Sequence, residues 1–463
     1  MFWDLFLPKG DCTVRDEMIV KCGYPATWTE MVNQLPNDEP TLQTAFCALS
    51  ISRVGRDNKD MRLVRESSKA YGKALRDLQT ALFDKGRAGS DQVLTACLLL
   101  SMYEVYEGSS KKAFGWVSHV QGAARLLELR GPERHQTWQA HHVFLGARVP
   151  IIYAGILDKR ATFLATQPWL TIPWEKGHKV YFDRAIDLAT QIPGILQEIE
   201  YVNLNLFGTQ ARRALHKLLE QCKSLLKALH TWHMNMKKGS EYTVIKHDSW
   251  EDDKYPFDVE LWFPNHLFAF AHIFFWTCAF NISEAIQEVQ EALEDLYQQK
   301  DQRPNLVWRA ELFESRQYAL SIAHSVIYCL QPEMGALGAN IINFPMTLAH
   351  RFFRQTHEMS VCAWFSKVST DMQKRGMRIG GIASTPAPPS STPHIKQENE
   401  DEDILQSSAC RWQTCNDASA YTQQYDSSDE TSDGASPAST NSTDSSRTTF
   451  IHEDPSKYYV DKT

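Results

Sequence analysis

Beyond Pro40 the apolar positions recur at spacings of three and four, the period of a helix with one buried face. Leu42, Ala45, Phe46, Leu49 and Val54 share such a face, as do Leu63, Ala70, Ala74, Leu78 and Leu82. The run QVLTACLLLSMYEVYE is apolar nearly all round, which predicts a central helix, with Ser90-Asp91 as its cap and Gly108 as its end. Further helices are expected over 138–157, 178–191, 194–206, 210–236, 264–299, 306–330, 345–357 and 359–374. The alternation that marks strands is nearly absent. The first 40 residues are broken by Pro8, Gly10, Gly23, Pro25, Pro36 and Pro40 and predict an irregular entry with one short helix over 28–35. The pattern as a whole predicts an all-α fold, an irregular multi-helix bundle or array. Its expected divisions are an entry segment 1–40, a helical domain 41–380 and a disordered acidic tail 381–463.

Within this pattern, GWVSHVQGAARLLELRGPERH mixes a histidine, glycines and arginines with aliphatic residues. On a 3.6-residue wheel Phe114, Val117, Val120, Ala124 and Leu127 form a stripe. Gly122 and Ala123 beside it would admit a close neighbouring helix. Arg125 and Arg130 suit the negative end of the helix dipole, Gly131 suits a left-handed cap, and Pro132 stops the helix. His119 is expected to be a hydrogen-bonded packing residue.

Charge changes the picture at the C-terminus. The formal net charge is −8. Residues 386–463 hold 14 acidic and 5 basic residues, and the remainder is nearly neutral, so no basic face for nucleic acid is implied. In the same segment 23 of 78 residues are Ser or Thr, a composition that cannot bury enough apolar surface to offset its chain entropy. The ten cysteines mostly sit singly in apolar runs, as buried reduced thiols of an intracellular protein do. The opening MFWDLFLPKGDC has no basic n-region, so no signal peptide is expected. The apolar run 266–280 is shorter than the roughly 20 residues of a membrane span and reads as a core helix, with no membrane partner expected.

Catalytic signatures are missing: there is no phosphate-binding glycine loop, no G-x-S-x-G and no H-E-x-x-H. Asp252-Asp253 has no second carboxylate cluster to share a metal. Adjacent His141 and His142 point about 100° apart on a helix. His230 and His233 share a face but are only two ligands, and no C-x2-C pair exists. No enzyme, cofactor or metal site is therefore expected. The sharpest local motif is Ile395-Lys396-Gln397-Glu398, followed by Glu400, Asp401, Glu402 and Asp403. An aliphatic–Lys–x–Glu tetrapeptide in an extended acidic setting resembles a SUMO-conjugation site, which makes Lys396 the candidate modified residue. The same stretch, with Trp412, alternates acidic and apolar residues as amphipathic activation segments do.

WVSHVQGAARLLELRGPERH resembles a signature of the fungal-specific transcription factor domain, the regulatory domain downstream of the six-cysteine binuclear zinc cluster in fungal regulators. NDEPTLQTAFCALS resembles that domain's first helix, entered through Glu-Pro. NIINFPMTLAHRFFRQTHEMSVCAWFSKVSTDMQKRGMRIG resembles its closing helices, where Phe-Pro opens a helix and a Trp helix follows. The resemblance spans about residues 2–380. It implies an all-α domain that regulates transcription of a metabolic or secondary-metabolite pathway in a fungal nucleus, without catalytic residues.

The family's zinc cluster is expected upstream, whereas these residues show no zinc ligands, basic arm or distinct recognition helix, which leaves direct DNA binding in doubt. Three arrangements accommodate this: further coding sequence upstream, action through a DNA-binding transcription factor or co-regulator, or a co-opted domain. The partners the reading allows are that factor, a small-molecule effector, and a homo- or heterodimer mate. The competing class is a metabolic helical protein, enzyme or ligand carrier, which the fold alone does not separate from a regulator.

Overall fold

A computed structural model describes residues 2–13, 28–29, 32–108, 115–237, 241–246, 255–298 and 309–377. The principal helices are α1 (Pro40–Asp57), α2 (Met61–Phe83), α3 (Asp91–Glu107), α4 (Trp116–Arg130), α5 (Trp138–Asp158) and α6 (Tyr181–Ala189). They continue with α7 (Ile192–Asn205), α8 (Gly208–Lys237), α9 (His266–Gln298), α10 (Arg309–His324), α11 (Gly335–Gln355) and α12 (Met359–Lys374). The all-α expectation holds. The acidic tail and Lys396 lie outside the described residues.

Side-chain caps operate at several helix starts, the predicted one at Ser90 among them. Glu39 caps α1, its Oε1 accepting from the Thr41 amide at 3.1 Å with Pro40 in the first turn. Ser90 caps α3 by accepting from the Val93 amide at 3.2 Å. Asn265 Oδ1 accepts from the amides of Leu267 and Phe268 at 3.0 and 3.1 Å and starts α9. Such caps satisfy helix amides that have no partner within the helix.

Two halves meet where α5 packs on α6 and α7. On one side α1 packs on α2 and α3, and α3 on α4 and α5. On the other, α9 is flanked by α7, α8, α10 and α11. Two helices, α5 and α9, are long and apolar enough to cross a membrane by length and composition, but 67% and 94% of their most apolar stretches are buried in the fold. The apolar run that begins at His266 is thus the core helix expected, extended to 33 residues.

Four expectations are corrected. Pro345 does not open a helix: α11 begins ten residues earlier at Gly335 and carries Pro345 in its interior. The expected helix 306–330 is interrupted at Ser325 between α10 and a short helix Val326–Leu330. On α4 the buried positions are Val117, Val120, Ala123, Leu126 and Leu127, so the stripe runs through Ala123 rather than Ala124, and nothing lies within 4 Å of a side chain added at Gly122. Gly131 does have a positive φ of 76°, but its ψ of 159° is extended, not left-handed helical; this region is open to glycine almost alone. In addition, a hairpin that was not anticipated pairs β1 (Thr243–Lys246) antiparallel with β2 (Val259–Trp262), Val244 opposite Leu261.

A buried ionic cluster ties the first and last helices of this domain together. Glu107, at the end of α3, accepts from Arg53 Nη2 at 3.0 Å, from Arg56 Nη2 at 2.6 Å and from the Ser52 hydroxyl. The same Arg53 Nη2 donates to the Gly376 carbonyl at 2.5 Å, and its guanidinium lies 4.5 Å over the Tyr106 ring. Burial pushes the Glu107 carboxyl up, but hydrogen bonds from Arg56 and Ser52 and the charge of Arg53 outweigh it and hold it below the usual carboxylate range. Its stabilising contribution is therefore present above the ordinary carboxylate pKa and is lost as pH falls through the lowered folded value. We expect Glu107→Gln to lower the unfolding free energy in urea by roughly 3 kcal/mol, because the buried Arg53 guanidinium loses its counter-charge and the half-buried one of Arg56 loses its partner. A change below about 1 kcal/mol, the scale of an exposed pair, would show that the cluster is peripheral.

Candidate functional site

Where the two halves meet, α3, α5, α11 and the start of α9 do not close completely. They leave a cavity of about 140 Å³ whose wall includes Trp28, Met102, Gly146, Tyr153, Phe270 and Phe344. Trp28 is seated directly on Gly146: a Cβ there would lie 2.3 Å from the indole Cγ, so only glycine lets the ring approach α5. Tyr153 and Phe344 stack at 4.2 Å. No Lys, Arg, Asp or Glu lines the space; the polar lining is Thr29, Ser101, His266, Asn340 and Asn343. Asn340 is exposed and marks where the wall reaches the surface. The His266 Nδ1–H donates to the Cys12 carbonyl at 2.6 Å, and burial lowers the ring's pKa, so at neutral pH the wall carries no charge.

The buried charges lie elsewhere and serve packing. Arg148, 1% exposed, donates to Asp183 at 2.9 Å and to Asp187, and its guanidinium lies 4.7 Å over Trp174. Lys179 also pairs with Asp187 and lies 4.3 Å from the Trp174 ring. The effect is to fix α5 against α6. A second network joins α2, α3 and α4: Tyr71 donates to Glu104 Oε1 at 2.6 Å and meets His119 Nε2 at 2.9 Å, while its ring stacks on Tyr103 at 4.4 Å. His119 is thus the hydrogen-bonded packing residue expected.

The histidines named from sequence are dispersed. His141 and His142 direct their Nδ1 atoms to the carbonyls of His135 and Trp138 at 3.0 and 2.8 Å. His230 Nε2 meets the Tyr318 hydroxyl at 2.7 Å, whereas His233 Nε2 meets His272 Nδ1 at 2.9 Å and its ring stacks on Phe275. Among the described residues no group of three or more His, Cys, Asp or Glu gathers at metal-holding distances. Asp252 and Asp253 lie outside the described residues, as do Cys22, Cys410 and Cys415. Of the seven described cysteines six are buried and Cys47 is exposed; burial pushes the Cys97 and Cys222 thiols up to about 12. The cavity itself was not foreseen. The signal available in the sequence was Pro150 inside a strongly apolar helical run, together with Gly146 one turn before it.

Comparison with known proteins bears out the family resemblance in the N-terminal part of the chain. Residues 21–148 match the fungal specific transcription factor domain. Over 146 residues the chain is 30% identical to an uncharacterized protein of Emericella nidulans, a match covering 31% of each chain. The match spans about a third of the length of that curated relative. No solved structure matches. The matched domain suggests fungal transcriptional regulation; it takes in α1 to α4 and most of α5, and so includes one wall of the cavity.

Burial pushes His135 and His233 down to about 3. Both folded values lie below that of an unfolded histidine, so the unfolded chain takes up the proton first. Stability present above pH 6.5 is then lost as pH falls toward the folded value. By pH 5 the loss is roughly 2 kcal/mol for each histidine. Urea unfolding at pH 7.5 and pH 5 should show this drop, and His135→Phe should reduce it; an equal slope in wild type and variant would assign the acid sensitivity to other groups.

Proposed function

We propose that this protein is a nuclear transcriptional regulator of a fungal metabolic or secondary-metabolite pathway, with no catalytic role. Its helical domain, over 41–380, binds an effector or partner, and the acidic tail over 381–463 carries activation and modification. Its action on DNA depends on a reading element carried by a DNA-binding partner or by further coding sequence upstream. The observation that carries the proposal is the match of residues 21–148 to the fungal specific transcription factor domain. Supporting it are the near-neutral charge outside the tail, which suits protein and ligand contacts better than phosphate contacts, and the uncharged cavity beside the matched helices.

The test is tethering. The full chain fused to a heterologous DNA-binding domain should change a reporter several-fold in a fungal host, and the 381–463 segment alone should retain part of an activating effect. A reporter unmoved by the full fusion, together with turnover of a small molecule by the purified chain, would replace this reading with that of a metabolic protein. Lys396 is the proposed SUMO acceptor: Lys396→Arg should abolish the conjugate band on an anti-SUMO blot, and an unchanged band would move the site elsewhere.

A further inference from the structure

Two helices among those described carry a proline in their interior: α5 with Pro150 and α11 with Pro345. Proline has no N–H, so the carbonyl four residues earlier loses its helical donor. Those carbonyls belong to Gly146 and Ile341. Both residues are buried, and both line the same cavity. An interior proline costs a helix about 3 kcal/mol. Buried backbone carbonyls without their regular partner are uncommon in folded proteins. Two such positions, on different helices, border one space whose wall carries no charge.

From this juxtaposition we propose that the cavity is a binding site for a small, uncharged, hydroxylated single-ring aromatic. Its ring would pack among Trp28, Met102, Tyr153 and Phe344, and its hydroxyl would donate to the Gly146 or Ile341 carbonyl. The size fits: an apolar protein cavity of about 150 Å³ holds benzene. The lining fits too, since an ionised ligand would find no counter-charge among the wall residues, whereas an aromatic face meets other aromatic faces. The proposal deepens the regulator reading by specifying an effector class, but it is tested without a reporter, so either can fail alone.

The experiment is calorimetric titration of the purified full chain with phenol, benzyl alcohol, toluene and benzoate, each followed by thermal unfolding. Phenol or benzyl alcohol should bind saturably and raise Tm, toluene should bind about five- to tenfold more weakly for lack of a donor, and benzoate should not bind. Pro150→Ala and Pro345→Ala restore the missing N–H groups at the loss of two ring carbons each, and are expected to keep the fold. In the double variant the preference for phenol over toluene should collapse toward equality. Val149→Phe, which fills the cavity, should abolish binding while circular dichroism reports retained helix. No saturable binding of either alcohol by wild type would overturn the site. Equal binding of phenol and toluene by wild type would overturn the role of the carbonyls, as would a preference that survives the double proline substitution.

Discussion

A helix that is apolar all the way round has to be enclosed, and α9 imposes that requirement on the domain. From Ala271 to Ser283 every residue is buried. No face is left for water, so α7, α8, α10 and α11 surround it. Its polar side chains are satisfied close to home: Thr277 donates to the Ile273 carbonyl at 2.7 Å, and Asn281 donates to that of Thr277 at 2.7 Å. Near its N-terminal end, Phe274 meets Tyr153 of α5, which in turn stacks on Phe344 of α11. Both of those helices carry an interior proline, and beside those prolines the packing leaves the cavity.

Most of the helical layout was legible because most helices show one periodic apolar face, and a few, such as α3 behind Ser90, also a recognisable cap. The helix expected over 359–374 was observed with the same bounds. Legibility failed where the local signal points the wrong way. Proline is ordinarily a helix starter or stopper, so Pro345 was read as an opening; the packing of α11 against α9 and α10 keeps the helix intact around it. The hairpin was missed for a different reason. TVIK is exposed along its whole length and shows no alternation, so its only signal was the preference of Thr, Val and Ile for strands, which is weak on its own.

The candidate site was hardly legible. A cavity is a property of how several helices fail to meet, and no single stretch contains it. Its wall joins Trp28 to Phe344, more than half the chain apart. The histidines and aspartates that attracted attention in the sequence did so for their chemistry, but His230 and His233 find separate partners in a packed core. What could be read locally was their ordinary role, as with His119, because hydrogen-bonded burial is the common fate of a histidine on a half-apolar helix.

The contact between Arg53 and Gly376 joins residues 323 positions apart in the chain, whereas Arg53 and Glu107 are 54 apart. The longer closure carries about 1.6 kcal/mol more chain entropy than the shorter one. It also waits on synthesis. A chain emerging N-terminus first presents α1 and α3, with the Arg53–Glu107 pair able to form, long before the carbonyl that completes the guanidinium's partners exists. The domain is therefore sealed by its final turn, and until that turn arrives one buried arginine remains exposed to solvent, a seam at which partly made chains differ from finished ones.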